Sequence, residues 1–263
     1  MKPAMVLLHG SNGVPAEMSG FATAFAPRFE VMAPNLLGHG GRPVPDGYSL
    51  EGMADDLVAT LALSGPAWFF GYSLGGYLAL YVARHRPDLV RGVVALAVKH
   101  VFDANGVGHV VYLAEPERLA RPGNPRKAQM ERAHGEANWV AVTRNTQRLF
   151  QSFGERAPLD DDDLRAIRAP VLQLSGDIDS LVRLAEFNRL AGLLPNARHG
   201  LFPGGAHPIR KVPSHDIVRA VHRFVDDVES GRTIAGGRER LGSDLVAGGL
   251  PKSPSFEFNR AKP

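Results

Sequence analysis

Ser73 stands between two glycines in Gly71-Tyr72-Ser73-Leu74-Gly75-Gly76, after the apolar run Ala67-Trp68-Phe69-Phe70 and before the helix-like Tyr77-Leu78-Ala79-Leu80-Tyr81-Val82-Ala83. A G-x-S-x-G set between a strand and a helix thrusts a serine hydroxyl out of a sharp turn, where a neighbouring base can activate it as a nucleophile. A residue at such a turn occupies a sparsely populated backbone conformation, at a cost of about 1–3 kcal/mol that the surrounding structure must offset. Strand and helix then pass so close that side chains two residues before and two after the serine would collide, and Gly71 and Gly75 fit because they have none. The helix starting near Leu74 aims its free N–H groups and positive dipole end at any anion forming beside the serine oxygen.

A base and a group to orient it are available downstream. Gly204-Gly205-Ala206-His207-Pro208 places His207 on a glycine-rich loop after a strand-like run. An imidazole with an ordinary pKa near ~6.5 can take the serine proton and return it to a leaving group, work worth about 10²- to 10⁴-fold in rate. Of the nearby histidines, His199 falls inside the strand, and His215 and His222 fall in or beside a helix. The run Pro170 to Ser175 ends in Gly176-Asp177-Ile178-Asp179. A carboxylate at the end of this late strand can orient the histidine. Asp179 is favoured for that role, and Asp177 is expected to cap the helix that follows. Upstream, Leu7-Leu8-His9-Gly10-Ser11-Asn12-Gly13 carries a strand into a loop. The backbone N–H of Ser11 there, with that of Leu74, would make an oxyanion hole, while His9 is read as a loop-orienting hydrogen-bonder.

The elements that must hold these groups alternate as short apolar runs and longer amphipathic segments, the βαβα rhythm of a parallel sheet covered by helices on both faces. Strands are expected near Ala4 to His9, Phe29 to Ala33, Ala67 to Tyr72, Val90 to Val98, Val171 to Ser175 and Ala197 to Phe202. Helices are expected near Pro15 to Pro27, Leu50 to Leu63, Leu74 to His85, Leu184 to Leu194 and Ser214 to Val228. Between Lys99 and Arg168 the rhythm breaks into helical stretches such as Glu136 to Phe153, as an insertion over the site would. The expected organisation is an α/β core of residues 1–98 and 169–229, a helical cap of residues 99–168, and a poorly ordered tail of residues 230–263, rich in glycine and proline.

Composition narrows the chemistry. The 263 residues, 44% hydrophobic and 22% charged, suit one large globular α/β domain. With no cysteine, disulfides, thiolate metal sites and a cysteine nucleophile are excluded. The net charge of +3 arises after Gly231, where six basic residues meet three acidic ones, so no basic stripe for nucleic acid is expected in the folded part. No apolar stretch reaches the ~18 residues of a membrane span. His9-Gly10 cuts off the short N-terminal apolar run, and a cytoplasmic protein is expected. The acidic run Asp160-Asp161-Asp162-Asp163 reads as the first turn of a helix rather than a metal site. Trp139, Phe150 and Phe153 would pack the insertion or line an apolar pocket.

These features together resemble the α/β-hydrolase superfamily. Ser73, Asp179 and His207 follow its chain order of nucleophile, acid and base, and Gly38-His39-Gly40-Gly41-Arg42-Pro43 looks like its GHG turn. The resemblance runs from Met1 to about Val228. It implies a serine hydrolase acting through an acyl-enzyme on a small-molecule carboxylic ester or thioester, with no cofactor and no metal. A carbon–carbon bond hydrolase, a cofactor-free lyase and a non-catalytic ligand-binding member are the alternatives on the same scaffold. Three departures stand out: few residues precede the first strand, which implies a reduced sheet of about six strands; Asn35 stands where an aspartate is common; and Arg42-Pro43 replace a small residue.

Overall fold

The computed structural model describes residues 2–45, 47–232 and 234–238. Seven strands form one sheet: β1 (Ala4–Leu8), β2 (Glu30–Met32), β3 (Ala67–Tyr72), β4 (Val90–Leu96), β5 (Val171–Gly176), β6 (Ala197–Phe202) and β7 (Gly237–Arg238). Their order is β2-β1-β3-β4-β5-β6-β7, and every neighbouring pair is parallel. The helices are α1 (Ser19–Phe25), α2 (Leu50–Leu61), α3 (Leu74–His85), α4 (Ala104–Leu113), α5 (Pro116–Leu119), α6 (Pro125–His134), α7 (Trp139–Glu155), α8 (Asp161–Ala166), α9 (Leu184–Leu193) and α10 (Ser214–Glu229). Helices α4 to α8 fill the gap between β4 and β5.

Apolar alternation along the strands decides which face each side chain takes. Val6, Leu8, Phe69, Val93 and Ala95 join one buried cluster with Leu57 of α2, Leu78 of α3 and Leu190 of α9. Met5, Leu7, Trp68, Phe70, Val94 and Leu96 join the opposite cluster with α1 and α10. Because β3 lies between β1 and β4, all six of its residues are buried, which is why it reads as a continuous apolar run. On α10, Ile217, Ala220, Val221, Phe224 and Val225 are buried, a helical stripe at i, i+3, i+4, i+7 and i+8. Each large side chain so buried contributes about 1.5–3 kcal/mol relative to exposure.

The structure differs from the sequence expectation at three points. The sheet has a seventh strand: Gly237 and Arg238 pair with Arg198 and His199 of β6, and Ile234 just before them joins the buried cluster with α1 and α10. Two residues, one of them glycine, give no periodic signal, so the sequence marks no strand there. The tail from residue 239 lies outside the described residues. Strand β4 stops at Leu96, because Ala97 takes a left-handed φ of 54°. The acidic run starts its helix one residue later than a first turn at Asp160 would: Asp160 is the N-cap, accepting hydrogen bonds from the N–H groups of Asp162 and Asp163, while the Asp163 carboxylate accepts from the Asp160 N–H. That helix, α8, packs on α3 and α9, with Arg84 on Asp163 and Arg189 on Asp161.

Two glycine pairs set how closely the elements approach at the carboxyl end of the sheet. A Cβ on Gly71 would overlap the Gly75 carbonyl, and one on Gly75 would overlap the carbonyls of Leu8 and His9. A Cβ on Gly176 would overlap the Gly205 backbone, so the loops after β5 and β6 lie against each other there. Gly75→Ala is expected to destabilise the fold by about 3 kcal/mol, because the methyl meets two rigid backbone carbonyls rather than a movable side chain. For a chain of this size that corresponds to a fall in Tm of roughly 6–12 °C, measurable by thermal melting followed by circular dichroism.

Candidate active site

Ser73 links β3 directly to α3 with φ 52° and ψ −118°. For a residue with a side chain this is a strained conformation, and it is held from both sides. The Ser73 N–H donates to the Leu96 carbonyl (2.8 Å), and the Ser73 carbonyl accepts from Gly76 and Tyr77, both at 3.0 Å. Leu74 opens α3, so its N–H has no acceptor within the helix.

The three side chains singled out in the sequence meet at this end of the sheet. Ser73 Oγ lies 3.1 Å from His207 Nε2. His207 Nδ1 lies 2.8 Å from Asp179 Oδ2 and 3.0 Å from Oδ1. The Asp179 side chain is 1% exposed and that of His207 11%. Asp179 Oδ1 also accepts from the N–H groups of Leu181 (2.8 Å) and Val182 (3.0 Å), which anchors the carboxylate. Asp177 is exposed, and its Oδ1 accepts from the Gly204 N–H at 2.7 Å. The expected helix cap is therefore corrected: α9 takes Arg183 as its N-cap, and Asp177 ties down the loop that carries His207. Tyr72 adds a further brace that sequence reasoning missed, its hydroxyl donating to the His207 carbonyl at 2.7 Å. In the sequence it stands only as the variable residue before the serine of G-x-S-x-G, with nothing to mark a partner 135 positions away.

Ser11 lines the same space as Ser73 and Leu74, and its loop is pinned by three buried histidines. His9 Nδ1 donates to the Gly10 carbonyl (2.9 Å) and Nε2 accepts from the Leu36 N–H (3.2 Å). His39 Nδ1 donates to the Leu37 carbonyl (3.0 Å) and Nε2 accepts from the Asn12 N–H (3.2 Å). His134, on α6, donates from Nε2 to the Asn12 carbonyl (3.1 Å) and accepts from the Gly40 N–H at Nδ1 (3.1 Å). Each ring is thus a neutral tautomer with both nitrogens used. Asn12 itself has a left-handed φ of 58°, and its Oδ1 accepts from Thr146 Oγ1 of α7 at 2.8 Å. The loop bearing Ser11 is therefore bonded at Asn12 to the GHG turn and to two helices of the insertion. His9 acts as the loop-orienting group expected, whereas the parts of His39, His134 and Asn12 had no local sequence signal.

Two cavities open beside Ser73. The first is an apolar slot of about 30 Å³ between Leu74, Tyr77, Phe102, Phe150 and Phe153. Trp139 takes no part in it and packs with Leu119, Met130 and Val142 in a separate cluster of the insertion. Lys99 closes part of the slot, its Nζ 3.1 Å from Glu186 Oε2. Glu186 Oε1 also accepts from the N–H groups of His100 (3.0 Å) and Val101 (2.9 Å), fixing the chain where it leaves β4. The second cavity, about 280 Å³, runs from Ser73 and His207 past Asn12 to Glu17, Arg126 and Arg210. His199 lies on β6, His215 is exposed on α10, and His222 stacks on Phe29.

Burial pushes His39 down to about 4, and burial with the neighbouring His39 charge pushes His9 down to about 3. Both are below the ordinary histidine value near ~6.5 expected in the unfolded chain. Between those values the unfolded state binds more protons than the folded one, so stability rises with pH there and is lost on acidification. Thermal melting from pH 7 down to pH 4.5 is expected to show a falling Tm, with a shallower slope in His39→Gln.

The sequence model of the Alpha/beta hydrolase family matches residues 5–232. The 2-(acetamidomethylene)succinate hydrolase of Mesorhizobium japonicum is 27% identical over 248 residues, covering 85% of this chain and 88% of its own. The pimeloyl-[acyl-carrier protein] methyl ester esterase of Xanthomonas axonopodis pv. citri is 27% identical over 247 residues, covering 86% and 96%. Among solved structures, NosK from Streptomyces actuosus superposes with a TM-score of 0.73 at 26% identity, over 87% of this chain and 100% of its own. With its parallel sheet, helices on both faces and a match along most of its length, the chain belongs to the alpha/beta hydrolase family.

Proposed function

We propose that this protein is a serine hydrolase that cleaves a carboxylic ester or thioester through an acyl-enzyme on Ser73. The observation that carries this reading is the unbroken relay from Asp179 to His207 (2.8 Å) to Ser73 (3.1 Å), assembled from three separate loops. In it, His207 Nε2 takes the Ser73 proton as Oγ attacks the acyl carbon, and Asp179 holds the Nδ1–H tautomer and stabilises the imidazolium. The oxyanion of the tetrahedral intermediate is received by the N–H groups of Leu74 and Ser11. Losing one such donor typically costs about 2.7–4 kcal/mol of transition-state stabilisation. The intermediate collapses as His207 returns the proton to the leaving alcohol or thiol, and water, activated by the same histidine, then releases the acid.

Residues 99–168 act as a cap in this reading, since α7 supplies Phe150 and Phe153 to the slot beside Ser73. Ester cleavage is also the chemistry named for the pimeloyl-[acyl-carrier protein] methyl ester esterase to which the chain is similar. The slot, with room for only two or three waters by the ~10–15 Å³ that one occupies, suits a short apolar group at one end of the substrate.

Turnover of p-nitrophenyl acetate tests the roles. Ser73→Ala is expected to abolish it. Asp179→Asn is expected to lower kcat by about 10⁴-fold, because the histidine loses its orienting acceptor. Asp177→Asn, which releases only the Gly204 N–H, is expected to cost less than about tenfold. A larger loss from Asp177→Asn would move the acid's role to that residue.

A further inference from the structure

The wide cavity is electrostatically unbalanced. Arg126, the second residue of α6, and Arg210, three residues beyond His207, both line it at its exposed rim. Glu17 is the one acidic residue among those that line it. Among the described residues no carboxylate lies within 4.0 Å of either guanidinium, whereas thirteen other lysines and arginines have such a partner. A third cation, Arg118, acts on Arg126 but is itself committed to the carbonyls of Tyr112 and Leu113. Glu17 packs toward the Ser11 loop, since a Cβ on Gly13 would come within 2.6 Å of its Oε2.

Partial removal from water, with the charges of Arg210 and Arg118 nearby, lowers the Arg126 guanidinium below its ordinary range. Glu17 acts on Arg126 in the opposite sense, but one carboxylate facing two guanidiniums leaves the pair with an excess positive charge. A planar guanidinium with free donors is suited to hold a carboxylate by paired hydrogen bonds. In the small slot the lysine of the wall, Lys99, is already paired with Glu186 at 3.1 Å, so an anion carried by a substrate spanning the site is met by unpaired guanidiniums in the wide cavity.

Building on the acyl-enzyme reading above, we propose that the wide cavity is an anion subsite, in which Arg126 and Arg210 receive a carboxylate carried by the substrate at the end remote from its short apolar group. The substrate class is then a small ester with one apolar end of a few atoms and one carboxylate end. Glu17 opposes this binding and keeps the rim from retaining anions tightly.

The test uses two series of graded chain length, acetate esters of ω-hydroxycarboxylic acids and monomethyl esters of dicarboxylic acids, each compared with its carboxamide isostere. The measured quantity is the carboxylate-to-carboxamide ratio of kcat/KM, which a general loss of activity leaves unaltered. At the best length the wild-type ratio is expected to reach about tenfold, as for charge-assisted hydrogen bonds at a half-wet site. It should fall with added salt, drop to about one in Arg126→Gln/Arg210→Gln, and rise about threefold in Glu17→Gln. A ratio near one at every length in both series, or one unmoved by the double substitution, overturns the subsite. Calorimetric titration of Ser73→Ala with the same pairs reads the carboxylate preference without turnover. Failure of the hydrolase reading, seen as turnover that survives Ser73→Ala or never occurs, is thereby separated from failure of the subsite, seen as equal binding of carboxylate and carboxamide.

Discussion

Everything at the site depends on how closely α3 can follow β3 and cross the end of β1. Gly75 lies against the carbonyls of Leu8 and His9, and Gly71 against the carbonyl of Gly75. Ser73, between them, is left at φ 52°. A strain of about 1–3 kcal/mol at one residue is tolerable only where the flanking structure cannot relax. Here β3 is buried along its whole length in the middle of the sheet, and nine of the twelve residues of α3 are buried as well. The core thus sets the serine's direction, and with it the place where the loops after β5 and β6 must deliver Asp179 and His207.

A second constraint acts from the side. The loop that would supply one oxyanion donor is not held by its own sequence but by Asn12, whose N–H, carbonyl and side-chain oxygen are bound by His39, His134 and Thr146 in turn. Two of those partners belong to α6 and α7 of the insertion. The same helices provide Arg126 to one cavity and Phe150 and Phe153 to the other. Movement of the insertion would therefore alter the Ser11 loop and both cavity walls together. Buried and fully hydrogen-bonded while neutral, the histidines hold this arrangement firmly near neutral pH and weaken it as they charge.

Much of the architecture was legible in the sequence. Six strands came from apolar runs bounded by glycine and proline, and the placement of Ser73, Asp179 and His207 came from loops following those runs. Such signals are local: a few neighbouring residues determine the element and its end. The missed features join distant segments. Asn12 with His134, Lys99 with Glu186 and Tyr72 with His207 are pairs separated by 122, 87 and 135 positions, and nothing in either neighbourhood marks the partner. Arg126 and Arg210 are likewise ordinary surface cations in sequence, and only the cavity they share distinguishes them. Strand β7 failed for the opposite reason: at two residues it is too short to have a pattern at all.

The central claim, that Ser73 carries the acyl group, is tested most directly by intact-protein mass spectrometry of acid-quenched p-nitrophenyl acetate turnover, with peptide mapping of the adduct. The expected result is a single acetyl group on Ser73 during turnover, absent from Ser73→Ala. An acetyl group mapping to another residue, or steady turnover with no covalent adduct at any quench time, would contradict it.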